Sequence, residues 1–149
     1  MLLHTSNTLA NRHLSTAMHR IFTPDSPYKK SARFIAILWT LLILIGCFTP
    51  GKEIPKIDVP FIDKWVHLVM FGGFTFLWLC ARPIINARSL IVLLLITVGL
   101  GTFIELIQGL LSFLGRSMEF MDAVADSVGG ILGIGLFCIL AAITKPKEH

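Results

Sequence analysis

Asp63 and His67 stand four residues apart, Glu105 and Gln108 three apart, and Asp122 and Asp126 four apart, each pair inside or at the edge of a long apolar run. Residues at these spacings share one face of a helix. Each pair therefore offers two polar groups to the same neighbour. The chemistry open to carboxylates beside an imidazole is hydrogen bonding, proton transfer, or a share in a metal site. Lys64, three residues before His67, adds an ammonium to that face. Arg116 adds a guanidinium, a group that grips carboxylates and phosphates through two parallel hydrogen bonds.

Each of these residues also has a plainer role open to it. Asp63 and Asp122 stand where a helix would begin and could serve as N-caps. Asp126 lies a full turn further in, where capping is no longer possible. His67 falls about one turn inside its run, where it needs a carboxylate partner, for structure or for proton transfer. Glu105 gives the sharpest signal. It precedes the end of its apolar run at Leu114 by nine residues, a depth of roughly 13 Å at the helical rise per residue. A carboxylate so deep needs a partner or a proton, and ionisable groups inside a membrane point to function. The alternative is a protonated Glu105 that only ties helices together. Gln108, Thr97 and Gly101 continue its face, which therefore looks inward. Arg116 is either a counter-ion for these carboxylates or the contact for an anionic ligand.

Four apolar stretches must position these groups: Phe34 to Phe48, Trp65 to Ala81, Leu90 to Leu114 and Ala123 to Ile143. Each approaches or exceeds the roughly 17 to 25 residues that a helix needs to cross a bilayer, the first two by borrowing flanking residues. The chain of 149 residues is 54% hydrophobic and only 15% charged, with a mean hydropathy of +0.77. That excludes an ordinary soluble domain. The expected fold is all-α, an integral membrane four-helix bundle. The net charge of +4 comes from scattered basic residues rather than a patch interleaved with aromatics, so nucleic acid is not an expected partner.

The basic residues instead set topology. Arg12, Arg20, Lys29, Lys30 and Arg33 precede the first stretch, Arg82 and Arg88 separate the second from the third, and Lys145 and Lys147 follow the fourth. By the positive-inside rule both termini and the loop at 82–89 are cytoplasmic. Among the acids only Asp25 and Glu148 then lie inside; Asp63, Lys64, His67, Glu105, Gln108, Arg116, Glu119, Asp122 and Asp126 gather toward the outer face. Three helix ends converge there with complementary charges.

Three regions follow: a polar, basic tail over 1–32, expected to be disordered, a transmembrane domain over 33–144, and a short cytoplasmic tail over 145–149. The acid-poor start also admits organelle targeting, and Met18 is an alternative start. Thr49-Pro50-Gly51 and Arg82-Pro83 end the first two helices. Gly72 and Gly73, Gly99 and Gly101, and Gly129, Gly130, Gly133 and Gly135 are expected at close helix contacts, with Ala125, Gly129 and Gly133 forming a small-residue stripe. Cys47, Cys80 and Cys138 match no zinc or redox spacing and carry no assigned role.

The ordered combination Asp63-Lys64-Trp65-Val66-His67, then Glu105 with Gln108, then Arg116, Asp122, Asp126 and Gly129-Gly130 resembles the signature of VanZ-like membrane proteins over about residues 34–143. The resemblance implies a small multi-pass protein of the bacterial inner membrane. It also brings an association with resistance to the glycopeptide teicoplanin, because the family is named for a protein linked to that resistance. Many members of that family show asparagine in the fourth-helix motif where this chain has Asp126, an added negative charge.

Four functional classes follow. In the first, a non-enzymatic envelope protein binds a lipid-linked or cell-wall headgroup, with Arg116, Lys64 and His67 meeting its anionic part and Gln108 and the carboxylates its hydroxyl or amide hydrogens. The second is a membrane-embedded hydrolase or transferase using Glu105 or His67 as general base, with a metal on His67, Asp122 and Asp126. HExxH and GxSxG motifs are absent, so no catalytic set, metal or cofactor is assigned. The third is a proton or ion pathway, disfavoured because the inner half of each helix is almost wholly Leu, Ile, Val and Phe. The fourth is a structural or assembly factor whose polar cluster locks the bundle.

Overall fold

A computed structural model describes residues 21–23, 25–50, 59–82 and 86–144. The expectations for the tail at 1–20 (the alternative start at Met18 included), for most of the loop after the first helix at 51–58 and for the tail at 145–149 lie outside the described residues. Four long helices follow one another: α1 over Lys29–Phe48, α2 over Ile62–Ala81, α3 over Ala87–Leu110 and α4 over Phe120–Ile143. All four are long and apolar enough to cross a membrane. The two short apolar runs reach 20 residues each by taking in flanking polar positions such as Lys29 and Asp63. Twenty residues span roughly 30 Å, the thickness of the hydrocarbon core.

The helix ends follow from local chemistry. Thr49 and Arg82 are extended, and each precedes a proline, whose ring disfavours the helical region for the residue before it. At the start of α3, Asn86 Oδ1 accepts from the Ser89 amide at 2.8 Å while Ser89 Oγ accepts from the Asn86 amide at 3.3 Å. This reciprocal capping box starts the helix at Ala87, three residues ahead of the apolar run that begins at Leu90.

The end of α3 departs further from expectation. The apolar run continues to Leu114, but α3 stops at Leu110, and Ser112–Leu114 form a 3-10 turn closed by Gly115 at φ 72°. Only glycine takes that conformation without strain. The reversal sets Met118 directly against Gly109. Glu105 accordingly lies five residues from the end of its helix, a depth of about 7.5 Å rather than the predicted 13 Å.

The contacts fix the order of the bundle. Trp39 Nε1 of α1 donates to the Met70 carbonyl of α2 at 2.8 Å, and Lys29 Nζ donates to that of Cys80 at 3.0 Å, so the two run antiparallel. α3 runs antiparallel to α4, with Thr97 against Gly130 and Gly101 against Asp126. The closest pair is α2 with α4, which are parallel. A Cβ at Gly129 or Gly133 would run into the backbone carbonyls of Leu68 and Gly72. The predicted stripe of Ala125, Gly129 and Gly133 is this seam, and its lack of side chains lets the two backbones touch. Gly99 and Gly135, predicted at close contacts, instead face open space.

Burial is inverted relative to a water-soluble protein. Thr75, Thr97 and Asp126 are fully buried, while Phe34, Leu95, Ile139 and Ile143 lie on the outside. Apolar groups facing outward and polar groups turned inward are what a bilayer requires. The chain is an all-α bundle of four membrane-spanning helices.

Candidate functional site

The parallel run of α2 and α4 brings their first turns side by side, with the C-terminal end of α3 next to both. At this polar end Lys64 Nζ meets Asp63 Oδ2 at 2.5 Å, Glu119 Oε2 at 2.5 Å and Asp122 Oδ1 at 2.9 Å. One ammonium is thus shared by three carboxylates. Neither aspartate is a cap: Phe61 and Glu119 occupy the N-cap positions of α2 and α4, without side-chain cap bonds, and Asp63 and Asp122 lie in the first turns. Negative charge there is favoured by the positive ends of two parallel helix dipoles.

One turn deeper, His67 Nδ1 lies 2.9 Å from Asp126 Oδ1, and its Nε2 lies 3.9 Å from Asp122 Oδ2. Asp126, whose charge lacked an assigned partner in the sequence, pairs with this imidazole. Below them Phe71, fully buried, stacks parallel to the His67 ring with centroids 6.4 Å apart and closes the floor. Glu105, 2% exposed, approaches from α3. Its Oε2 accepts the Glu119 amide at 2.8 Å, which ties the α4 entry strand to α3. Donor atoms of His67, Glu105 and Asp126 lie within 4.8 Å of one another. Glu105 Oε1 and Asp126 Oδ2 are buried without a hydrogen-bond partner among the described residues.

Among the described residues Arg116 forms no ion pair with the carboxylates, so it is not placed as their counter-ion. Its Nε donates to the Thr49 carbonyl at 3.0 Å and its Nη2 to the Gly46 carbonyl at 2.7 Å. It satisfies the C-terminal carbonyls of α1 that no helical amide can reach. Gln108 does similar work, donating through Nε2 to the Cys47 carbonyl at 2.8 Å. The site residues therefore divide into a carboxylate–imidazole group on α2, α3 and α4 and a pair of donors that fasten α1. These carbonyls on α1 carried no sequence signal, because any residue type supplies them.

Between α1 and α2 the structure leaves a partly enclosed cavity of about 230 Å³. Its walls are mainly apolar, with Ile43, Val66 and Met70, while Asp63, His67, Gln108 and Arg116 give it polar groups. The apolar lining residues were invisible as such in the sequence, where they are indistinguishable from lipid-facing ones.

A family model for VanZ/LLP1 matches residues 5–141. The chain belongs to the VanZ/LLP1 family. The match spans all four helices, so the polar end of the bundle lies within the family domain of this VanZ/LLP1 member. No curated protein and no solved structure matches the chain.

Proposed function

We propose that this VanZ/LLP1 member is a non-enzymatic protein of the bacterial inner membrane whose cavity takes the polar end of an amphipathic, lipid-linked or cell-wall compound. In this reading both termini are cytoplasmic, the polar end faces outward, and the protein contributes to resistance to glycopeptides such as teicoplanin. The observation that carries it is the cavity between α1 and α2, apolar along its walls and polar at Asp63, His67, Gln108 and Arg116. Such a lining suits a ligand with a hydrocarbon part and a hydrogen-bonding head.

The charge balance narrows the head. Asp63, Glu105, Glu119, Asp122 and Asp126 stand against two permanent cations, and Lys64 is already shared by three carboxylates while Arg116 is held by two carbonyls. In the cavity itself Asp63 faces Arg116, whose donors are held by carbonyls, with the other carboxylates close behind. Hydroxyl, amide or ammonium groups would find acceptors, so the head is a sugar or peptide group rather than the anionic part of the lipid.

The test is native mass spectrometry of the full chain purified in mild detergent from a bacterial host, paired with teicoplanin susceptibility of cells carrying it. A co-purifying envelope lipid that is lost in Val66→Trp, which fills the cavity, with a parallel loss of protection at unchanged protein level, is the expected result. Equal lipid content and equal protection in the wild type and Val66→Trp would overturn the reading.

A further inference from the structure

Three donor side chains from three different helices meet at one buried point: His67 from α2, Glu105 from α3 and Asp126 from α4, with their donor atoms within 4.8 Å of one another. We propose that they form a binding site for one divalent first-row transition-metal ion, of which Zn²⁺ is the representative. This inference does not rest on the proposed lipid, although His67 also lines the cavity, and it departs from the sequence-based expectation of no metal.

The first support is the pair of unpartnered oxygens. Glu105 and Asp126 are 2% and 0% exposed, yet Oε1 of the one and Oδ2 of the other have no hydrogen-bond partner among the described residues. Buried carboxylate oxygens are ordinarily paired or bound to metal. The local cations leave this deficit standing, because Lys64 is engaged one turn away with Asp63, Glu119 and Asp122. A divalent ion with a neutral imidazole would neutralise both carboxylates.

The second support is geometric. Bonds of about 2.0 to 2.2 Å to a tetrahedral zinc place its ligands roughly 3.3 Å apart. The His67 Nδ1 to Asp126 Oδ1 distance of 2.9 Å would open slightly, and any longer separation within the 4.8 Å that bounds the three donors would close. Rotamer adjustments on the order of 1 Å accomplish both. With Nδ1 as ligand, the opposite ring nitrogen faces Asp122 Oδ2 at 3.9 Å. Histidine ligands characteristically donate their second N–H to a carboxylate, which fixes the ring.

The donor set selects the class of ion. One imidazole with two carboxylates suits Zn²⁺, Fe²⁺ or Mn²⁺ better than Mg²⁺ or Ca²⁺, which prefer oxygen alone. Only the enzyme alternative drawn from the sequence placed a metal, on His67, Asp122 and Asp126. The fold instead puts Glu105 among the ligands and Asp122 behind the histidine.

The full chain in detergent, stripped with a chelator and dialysed, is titrated calorimetrically with ZnCl₂. One ion per chain is expected, with X-ray absorption of the loaded protein giving nitrogen and oxygen neighbours near 2.0 to 2.2 Å. Glu105→Gln and Asp126→Asn should each weaken binding at least tenfold, and Asp122→Asn about tenfold through the histidine. The wild-type titration is decisive by itself, whether or not the variants fold. Absence of Zn²⁺ binding would overturn the proposal, especially with an infrared carboxylic-acid band that disappears in Glu105→Gln, because the two carboxylates would then be sharing a proton. Binding that survives Glu105→Gln but is lost in Glu119→Gln would overturn it too, since the ion would then sit beside Lys64.

Discussion

His67 Nδ1 and Asp126 Oδ1, 2.9 Å apart, join α2 to α4 one turn inside the bundle. Among the described residues they form a side-chain hydrogen bond between the two helices that pack most closely. Removing one partner of a buried pair strands the other, at about 3–5 kcal/mol. His67→Leu is therefore expected to lower unfolding stability in detergent by about 3 kcal/mol, and His67→Leu with Asp126→Leu by less than the sum of the single changes. Strict additivity in a denaturant titration of the four proteins would show that the two side chains do not interact.

The glycine seam carries a sharper structural prediction. Gly129→Ala and Gly133→Ala each place a methyl group against a backbone carbonyl of α2 that cannot rotate away. Overpacking of this kind costs about 1–3 kcal/mol. Gly99→Ala and Gly135→Ala meet nothing within 4 Å, and as helix positions they should be neutral or stabilising by up to about 1 kcal/mol. Thermal unfolding in detergent ranks the four. A ranking that does not separate the two pairs contradicts the α2–α4 register.

Lys64 is the one ammonium among three carboxylates, so its loss should be felt as repulsion. Lys64→Met is expected to destabilise by about 1 kcal/mol at low salt, with a smaller effect at high ionic strength. Adding Glu119→Gln should return part of the loss. If the double variant is less stable than Lys64→Met alone, the contact of Lys64 with Glu119 is not what matters.

Arg116 caps α1 through two bonds from a planar fork. Lysine has a single ammonium on a flexible stem and does not reproduce that geometry. Arg116→Lys should therefore lose nearly as much stability as Arg116→Ala, about 1–3 kcal/mol for hydrogen bonds from a charged donor. Hydrogen exchange of the last turn of α1 gives the direct readout: faster exchange in both variants is expected, and wild-type protection in Arg116→Lys would argue for charge alone.

Much of this architecture could be read in the residues. Length and hydropathy placed four spans, and the four-residue spacing of Gly129 with Gly133 announced a close contact. The three-helix meeting of His67, Glu105 and Asp126 was legible as a region but not as a set, because intervals along a helix give a face and never the partner across from it. Asp122 and Asp126 share a face equally well on paper. The register of α2 against α4 decides that Asp126 bonds His67 while Asp122 goes to Lys64. The early end of α3 escaped because Leu110, Leu111, Phe113 and Leu114 are as apolar in a turn as in a helix. The bonds of Arg116 to α1 escaped for a related reason: its acceptors are backbone carbonyls, which leave no mark on a sequence.

The direct backbone contact along Leu68, Gly72 and Gly133 has a final consequence. α2 and α4 leave no room between their backbones at these positions, and Phe71, Phe74 and Phe137 belong to one packed apolar core. A group that enters the cavity between α1 and α2 meets this packed apolar core on its inner side.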